Sequence, residues 1–349
     1  MEGTRRKLVI VTRLDLMNAF DGHVIYFRET LSSVISLNYF SEIVVLVEEG
    51  VKVFLKDVRV MDLLSPGKVL HTGKARNFTL IKSELEDSTH IQYWYLPKPV
   101  FILSSVVLRK KNIIFFPDSW GCYFSEKYKF EKKSLDRIRS IFYFTLEYFL
   151  SKTTKVVLIS EREAKIYNGY HFPHLLKESN GTSFESIKDD VFIGRMSKVT
   201  LVSLCEEVVK VLDDVNFTVL VSCKELQAKL SIYPNLNILN RVNNYEEFTK
   251  KFKVHLIYDA YGSGMSTKLI NGVNTNRLVL GNPAVFRGFE NLSFSNSLSY
   301  TNWEEAVETL RKVMENQKSD YYYLIDGYKS LRAAYGSAYR SKVLVSIYE

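Results

Sequence analysis

The sequence predicts an α/β protein of two doubly wound, Rossmann-like domains. Three observations carry that expectation. Short apolar runs alternate with segments of helical apolar spacing along most of the chain, a pattern that gives parallel sheets covered by helices. The alternation breaks once, at a polar stretch from Lys177 to Asp190, and then restarts. The chain has 349 residues, more than one compact core usually holds.

In order, Lys7 to Thr12 reads as the opening strand. Gly22 to Leu37 follows as a helix with Val24, Phe27, Leu31, Val34 and Ile35 on one face. Strands are expected at Glu42 to Val47, Ile91 to Tyr95, Asn112 to Phe116 and Lys155 to Ile159, with helices at Val100 to Lys110 and Lys132 to Leu150. Beyond the linker come a strand at Val191 to Gly194 and a helix from Thr200, whose Leu201, Leu204, Cys205, Val208 and Leu212 recur at intervals of three and four. Strands at Phe217 to Val221 and Leu236 to Leu239 follow, then a helix from Asn244 with Glu247 in the capping-box position, and a strand at Val254 to Tyr258. The domain limits expected are 1–180 and 190–334, with a closing helix at 335–349 returning to the first domain. Two such domains would leave a cleft lined by loops at the carboxyl ends of their strands.

Composition narrows the function classes. Hydrophobic residues make up 46% of the chain and charged residues 25%, with no repetitive or proline-rich tract, which disfavours disorder and solenoids. Cys122, Cys205 and Cys223 lack paired zinc spacing and are too few for a disulfide framework, which fits a reducing cytoplasm. The charged start at Met1 to Lys7 has no small-residue cleavage site, so export is not expected. The apolar runs Pro99 to Leu108 and Ile141 to Leu150 are shorter than the roughly 20 residues of a membrane span. A net charge of +8 suits a phosphorylated ligand or an anionic membrane surface, whereas no nucleic-acid-binding module is recognised. The basic residues from Lys127 to Arg139 fit either a solvated helix face or contact with such a membrane.

Two segments of the second domain suit an anionic ligand. Asp259 to Lys268 reads Asp-Ala-Tyr-Gly-Ser-Gly-Met-Ser-Thr-Lys between a strand and a helix. Gly262 and Gly264 allow close backbone approach, and the N–H groups of Met265, Ser266 and Thr267 would point at a phosphate, with Lys268 adding charge. The same loop also reads as a turn with Ser266 or Thr267 capping the helix. Arg195 and Lys198 follow the first strand of the domain, where Arg195 could pair bidentately with a diphosphate. In the first domain, Asp21, Gly22 and His23 lie where the opening strand passes into its helix. Asp118 and Trp120 lie at the end of the strand Asn112 to Phe116. His23 and Asp118 are candidate acid–base groups and Trp120 a candidate sugar-stacking ring; helix capping and solvation are the ordinary alternatives.

Gly194-Arg195 with Lys198, the run Tyr261-Gly-Ser-Gly-Met-Ser-Thr-Lys-Leu-Ile-Asn-Gly, and Arg277-Leu-Val-Leu-Gly-Asn-Pro together resemble the glycosyltransferases of group 1, or family 4. The resemblance covers most of the chain and implies the GT-B architecture, in which the second domain holds a nucleotide-sugar donor. It implies that Arg195 and Lys198 bind the donor diphosphate and that the loop from Gly264 to Thr267 caps it. The family's two glutamates, which serve the donor sugar and the ribose, are replaced here by Ser263 and Asn271. Asn271 retains the hydrogen-bonding capacity for a ribose hydroxyl, whereas Ser263 supplies no negative charge.

The expected function is therefore transfer of a sugar from a nucleotide-diphosphate sugar to a glycan or lipid-linked acceptor, of the kind used for bacterial surface polysaccharides. Cytoplasmic, membrane-peripheral action is expected. No resident cofactor or metal is expected: the sequence has no Asp-x-Asp tripeptide, and cationic side chains would stabilise the leaving diphosphate. The alternatives are a nucleotide-sugar epimerase of the same fold and a non-catalytic sugar-binding partner of a transferase.

Overall fold

The computed structural model describes residues 6–12, 14, 22–47, 68–71, 77–95, 111–177, 188–194, 202–242, 244–289, 298–315 and 317–349. Asp21, Arg195, Lys198 and the helix expected at 100–110 lie outside the described residues. The chain divides into two compact units. One comprises Met1–Tyr128, Lys132–Leu175 and Ser337–Glu349; the other comprises Lys129–Glu131 and Leu176–Gly336.

The first unit is built on β1 (Lys7–Thr12), β2 (Glu42–Val47), β3 (Lys68–His71), β4 (His90–Trp94), β5 (Lys111–Phe116), β6 (Lys155–Leu158) and β7 (Tyr170–His171). All pair in parallel, in the order β3-β2-β1-β4-β5-β6-β7. Every residue of β1 is buried, as expected for a parallel strand covered on both faces. Helix α1 (Gly22–Ser36) follows β1 and buries Val24, Phe27, Leu31 and Val34 of the predicted face, together with Tyr26 and Thr30. Next come α2 (Asn77–Asp87), α3 (Trp120–Glu131), α4 (Ser134–Thr153) and α5 (Glu161–Tyr167). The sheet reverses its winding between β1 and β4, where an open parallel sheet leaves a crevice at its carboxyl ends.

The second unit carries β8 (Lys188–Ile193), β9 (Phe217–Leu220), β10 (Leu236–Leu239), β11 (Phe252–Ile257) and β12 (Leu278–Gly281) in the order β10-β9-β8-β11-β12, again all parallel. Its switch point lies between β8 and β11. The helix predicted from Thr200 is present, but its central turn is widened to a π-helix at Cys205–Val209, with Lys210 N–H donating to the Cys205 carbonyl. Leu204, Cys205, Val208 and Leu212 are buried as the spacing predicts. Helices α6 (Lys224–Leu230) and α7 (Tyr245–Thr249) follow, and Asn244 caps α7 by accepting from Glu247 N–H at 3.1 Å.

Helix α8 (Thr267–Thr275) then crosses close over β12, made possible by Gly272: a Cβ there would overlap Val279 Cγ2. Gly272→Val is accordingly expected to destabilise the chain by about 3 kcal/mol, read as a lowered melting temperature. Helices α9 (Trp303–Glu315) and α10 (Gln317–Tyr335) complete this unit.

The last helix, α11 (Ser337–Tyr348), belongs to the first unit. Its Arg340 is fully buried, donates to the Pro173 carbonyl, and lies 4.1 Å over the Phe172 ring. The Tyr348 carbonyl accepts from His90 Nε2 at 2.7 Å, so the chain end closes over the amino end of β4.

Candidate functional site

Residues from the carboxyl ends of three neighbouring segments meet in the first unit. His23 opens α1 after β1, Tyr95 follows β4, and Asp118 follows β5. His23 Nε2 lies 2.6 Å from Asp118 Oδ2, although the two residues are 95 positions apart in sequence. The His23 and Asp118 side chains are 41% and 31% exposed, so the pair is open to a ligand. With Nε2 engaged by the carboxylate, Nδ1 is the nitrogen suited to exchange a proton with a bound hydroxyl. Tyr95 packs edge-on against the His23 ring with centroids 5.4 Å apart. Its φ of +66° is a left-handed conformation that non-glycine residues rarely adopt, and such strain clusters at functional sites.

Asp118 is held by the start of α3. Ser119 caps that helix by accepting from Cys122 N–H, and its hydroxyl donates to Glu147 Oε2 at 2.7 Å. Glu147, fully buried on α4, also accepts from Trp120 N–H, Gly121 N–H and the Tyr167 hydroxyl. Burial raises its carboxyl above the usual range despite those donors. The Trp120 ring stacks on Phe124 at 5.9 Å and lies 5.8 Å from Tyr143, which fixes the orientation of the candidate sugar-stacking ring. Gly22 is the first residue of α1, directly before His23.

In the second unit, the glycine-containing loop connects β11 to α8, beside the switch point. Gly264 has a φ of +66°, and Ser263, Gly264, Met265 and Ser266 are buried while Thr267 is exposed. Ser266 is the N-cap of α8, but its hydroxyl makes no cap hydrogen bond; it donates to Asp259 Oδ2 at 3.2 Å. The Ser263 hydroxyl is buried without a hydrogen-bond partner.

Lys268 is paired with a carboxylate that a second cation shares. Its Nζ lies 2.8 Å from Asp259 Oδ1, and Arg287 NH1 lies 3.0 Å from Asp259 Oδ2. Burial pushes the Asp259 carboxyl upward, but the two cations outweigh it and hold the group below its ordinary range. Gly194 directly follows β8 beside this cluster: a Cβ there would lie 3.6 Å from Lys268 Cδ. Asn271 Nδ2 donates to Thr249 Oγ1 at 2.9 Å.

No family model matches this chain, and no curated protein matches it in sequence. Solved structures match it over nearly its whole length. Anabaena HepE, solved with UDP-glucose, superposes with a TM-score of 0.70 at 8% identity, covering 98% of this chain and 99% of that one. A Rickettsia africae glycosyltransferase gives 0.65 at 13% identity over 99% and 98% of the two chains. Arabidopsis thaliana UGT89C1, solved with quercetin, gives 0.60 at 10% identity over 99% and 100%.

The fold is a glycosyltransferase fold.

Against that fold, the sequence reading overlooked four residues. Asp259 and Arg287 offered only a strand-end carboxylate and a distant arginine, Tyr95 read as the last residue of a strand, and Glu147 read as an interruption of an apolar run.

Proposed function

We propose that the chain is a glycosyltransferase that moves a sugar from a nucleotide-diphosphate donor to a hydroxyl of a glycan or lipid-linked acceptor. The observation that carries this reading is the His23–Asp118 pair at the carboxyl end of the first sheet. His23 Nδ1 takes the proton of the acceptor hydroxyl as its oxygen bonds to the anomeric carbon and the bond to the diphosphate breaks. Asp118 orients the imidazole and stabilises the imidazolium that forms.

The donor belongs to the second unit. The amino end of α8, whose N-cap hydroxyl is turned away to Asp259, offers N–H groups to the diphosphate, with Lys268, Arg195 and Lys198 as its cations. Asn271 serves the ribose through its carbonyl oxygen and Ser263 lies near the donor sugar. Asp21, Gly22 and Trp120 lie on the acceptor side. The group 1, or family 4, assignment rests on the motif order described above. Leaving-group stabilisation by these cations makes the reaction metal-independent. A bacterial surface polysaccharide is the product class, made in the cytoplasm at the inner face of the plasma membrane.

HepE binds UDP-glucose, so uridine diphosphate heads the ligands to test. Thermal unfolding with UDP, GDP, ADP, CMP and dTDP should show one selective stabilisation, about 2.7 kcal/mol at a hundredfold excess over Kd. Lys268→Ala is expected to weaken that ligand about tenfold or more by calorimetry. Undiminished affinity would remove Lys268 from the site. Donor binding without any turnover, across a panel of acceptors, would favour the sugar-binding partner instead.

A further inference from the structure

The long helix α4 presents an apolar face outward. Leu135, Ile138, Ile141, Phe142, Tyr148 and Phe149 are all more than half exposed, and recur at the spacing of one helix face. Asp136, Ser140, Glu147 and Leu150 occupy the opposite, buried face. Both acidic residues of α4 are thus turned inward, where Asp136 lies 3.8 Å from Lys127 and 3.6 Å from Arg139. The charged side chains left on the outward side are Arg137, Arg139 and Lys152, with Lys132 and Lys133 exposed just before the helix.

This arrangement reverses the usual rule for a surface helix, whose exposed side is polar. Six large apolar side chains held in water form a patch of the kind that marks an interaction surface. Among the described residues no helix is long and apolar enough to cross a membrane. Over its 20 residues α4 extends about 30 Å, enough to lie along a surface.

We propose that the outward face of α4 docks the protein on an anionic phospholipid bilayer. The helix lies in the plane of the interface with Ile138, Ile141, Phe142 and Phe149 among the upper acyl carbons. Arg137 and Arg139, on either side of that stripe, and Lys132, Lys133 and Lys152 at its ends meet lipid phosphates. Charge selects this occupant over a second copy of the chain. Two such faces would bring cations against cations, with no acidic side chain on the outward side of α4 to pair with them. The inference supplies a physical surface for the membrane location proposed above, and rests on one helix face, independently of sugar transfer.

The test is co-sedimentation of the full chain with phosphatidylcholine vesicles, with and without phosphatidylglycerol. Binding is expected only to the anionic vesicles, weakening as salt rises. The triple variant Ile138→Ser, Phe142→Ser, Phe149→Ser should lower it more than about tenfold, as should Arg137→Glu with Arg139→Glu. Ile138, Phe142 and Phe149 are exposed, so the melting temperature of the triple variant and its shift by the nucleotide diphosphate should match wild type, which separates this test from the donor-binding one. The proposal is overturned if wild type ignores anionic vesicles or if the triple variant binds them equally. A wild-type dimer that the triple variant converts to monomer, with vesicle binding unchanged, would assign the face to a second copy.

Discussion

His23→Ala is expected to lower kcat about 10²- to 10⁴-fold, the range of a lost general base, while leaving donor affinity unchanged. The expectation follows from the 2.6 Å contact with Asp118 and from the proposal that the donor is held by the second unit. Asp118→Asn should be nearly as damaging, because an amide no longer selects the tautomer that leaves Nδ1 to accept a proton. The double variant should be little worse than His23→Ala, since residues acting as one device lose their function together. Steady-state kinetics with a saturating donor decides the matter. Near-normal turnover in His23→Ala would reduce the pair to an ordinary half-exposed ion pair worth about 0–1 kcal/mol.

The second large effect is on stability. Glu147→Ala is expected to cost about 3–5 kcal/mol, because it strands two backbone N–H groups in a buried setting and leaves the Ser119 and Tyr167 hydroxyls without their carboxylate acceptor. The donors belong to Ser119, Trp120, Gly121 and Tyr167, so the start of α3, and Asp118 just before it, would lose their anchor. Glu147→Gln tests the charge separately. The folded protein raises this carboxyl above its ordinary 4.5, so its contribution is complete below that value and is lost as pH rises through the folded value. Wild type minus Glu147→Gln should therefore show a stability difference that declines from about pH 4 upward. A difference that grows with pH would mean that Glu147 is held as a carboxylate.

Much of the sheet architecture was legible, because parallel strands buried on both faces are written as continuous apolar runs. Lys7–Thr12, Glu42–Val47 and Leu236–Leu239 were readable to the residue. Short or weakly patterned elements were not. Helix α3 buries only Gly121 and Phe124, too little for a periodic signal, and β3 has four residues. The amphipathic α9, with Ala306, Val307, Leu310 and Val313 buried, carried a clear period that the reading passed over.

Site residues divided differently. His23 and Asp118 each stood out as a polar group at a strand-to-helix junction, but their contact depends on β4 separating β1 from β5 in the sheet, which spacing does not reveal. The Asp259–Lys268–Arg287 cluster was hidden for the same reason. The outward side of α4 was not legible from the apolar run alone: Ile141, Phe142, Tyr148 and Phe149 lie within the stretch Ile141 to Leu150, and only part of that stretch points inward.

Tyr95 sets stability and activity against each other. Its left-handed backbone costs a side-chain-bearing residue about 1–2 kcal/mol, a cost glycine would not incur. Yet glycine would remove the ring that braces the edge of His23. Selection for heat resistance alone would favour losing the aromatic side chain here, and selection for turnover would favour keeping it. Among the described residues of the first sheet's rim, this is the place where a thermostabilised descendant of the chain would be most readily bought at the expense of its chemistry.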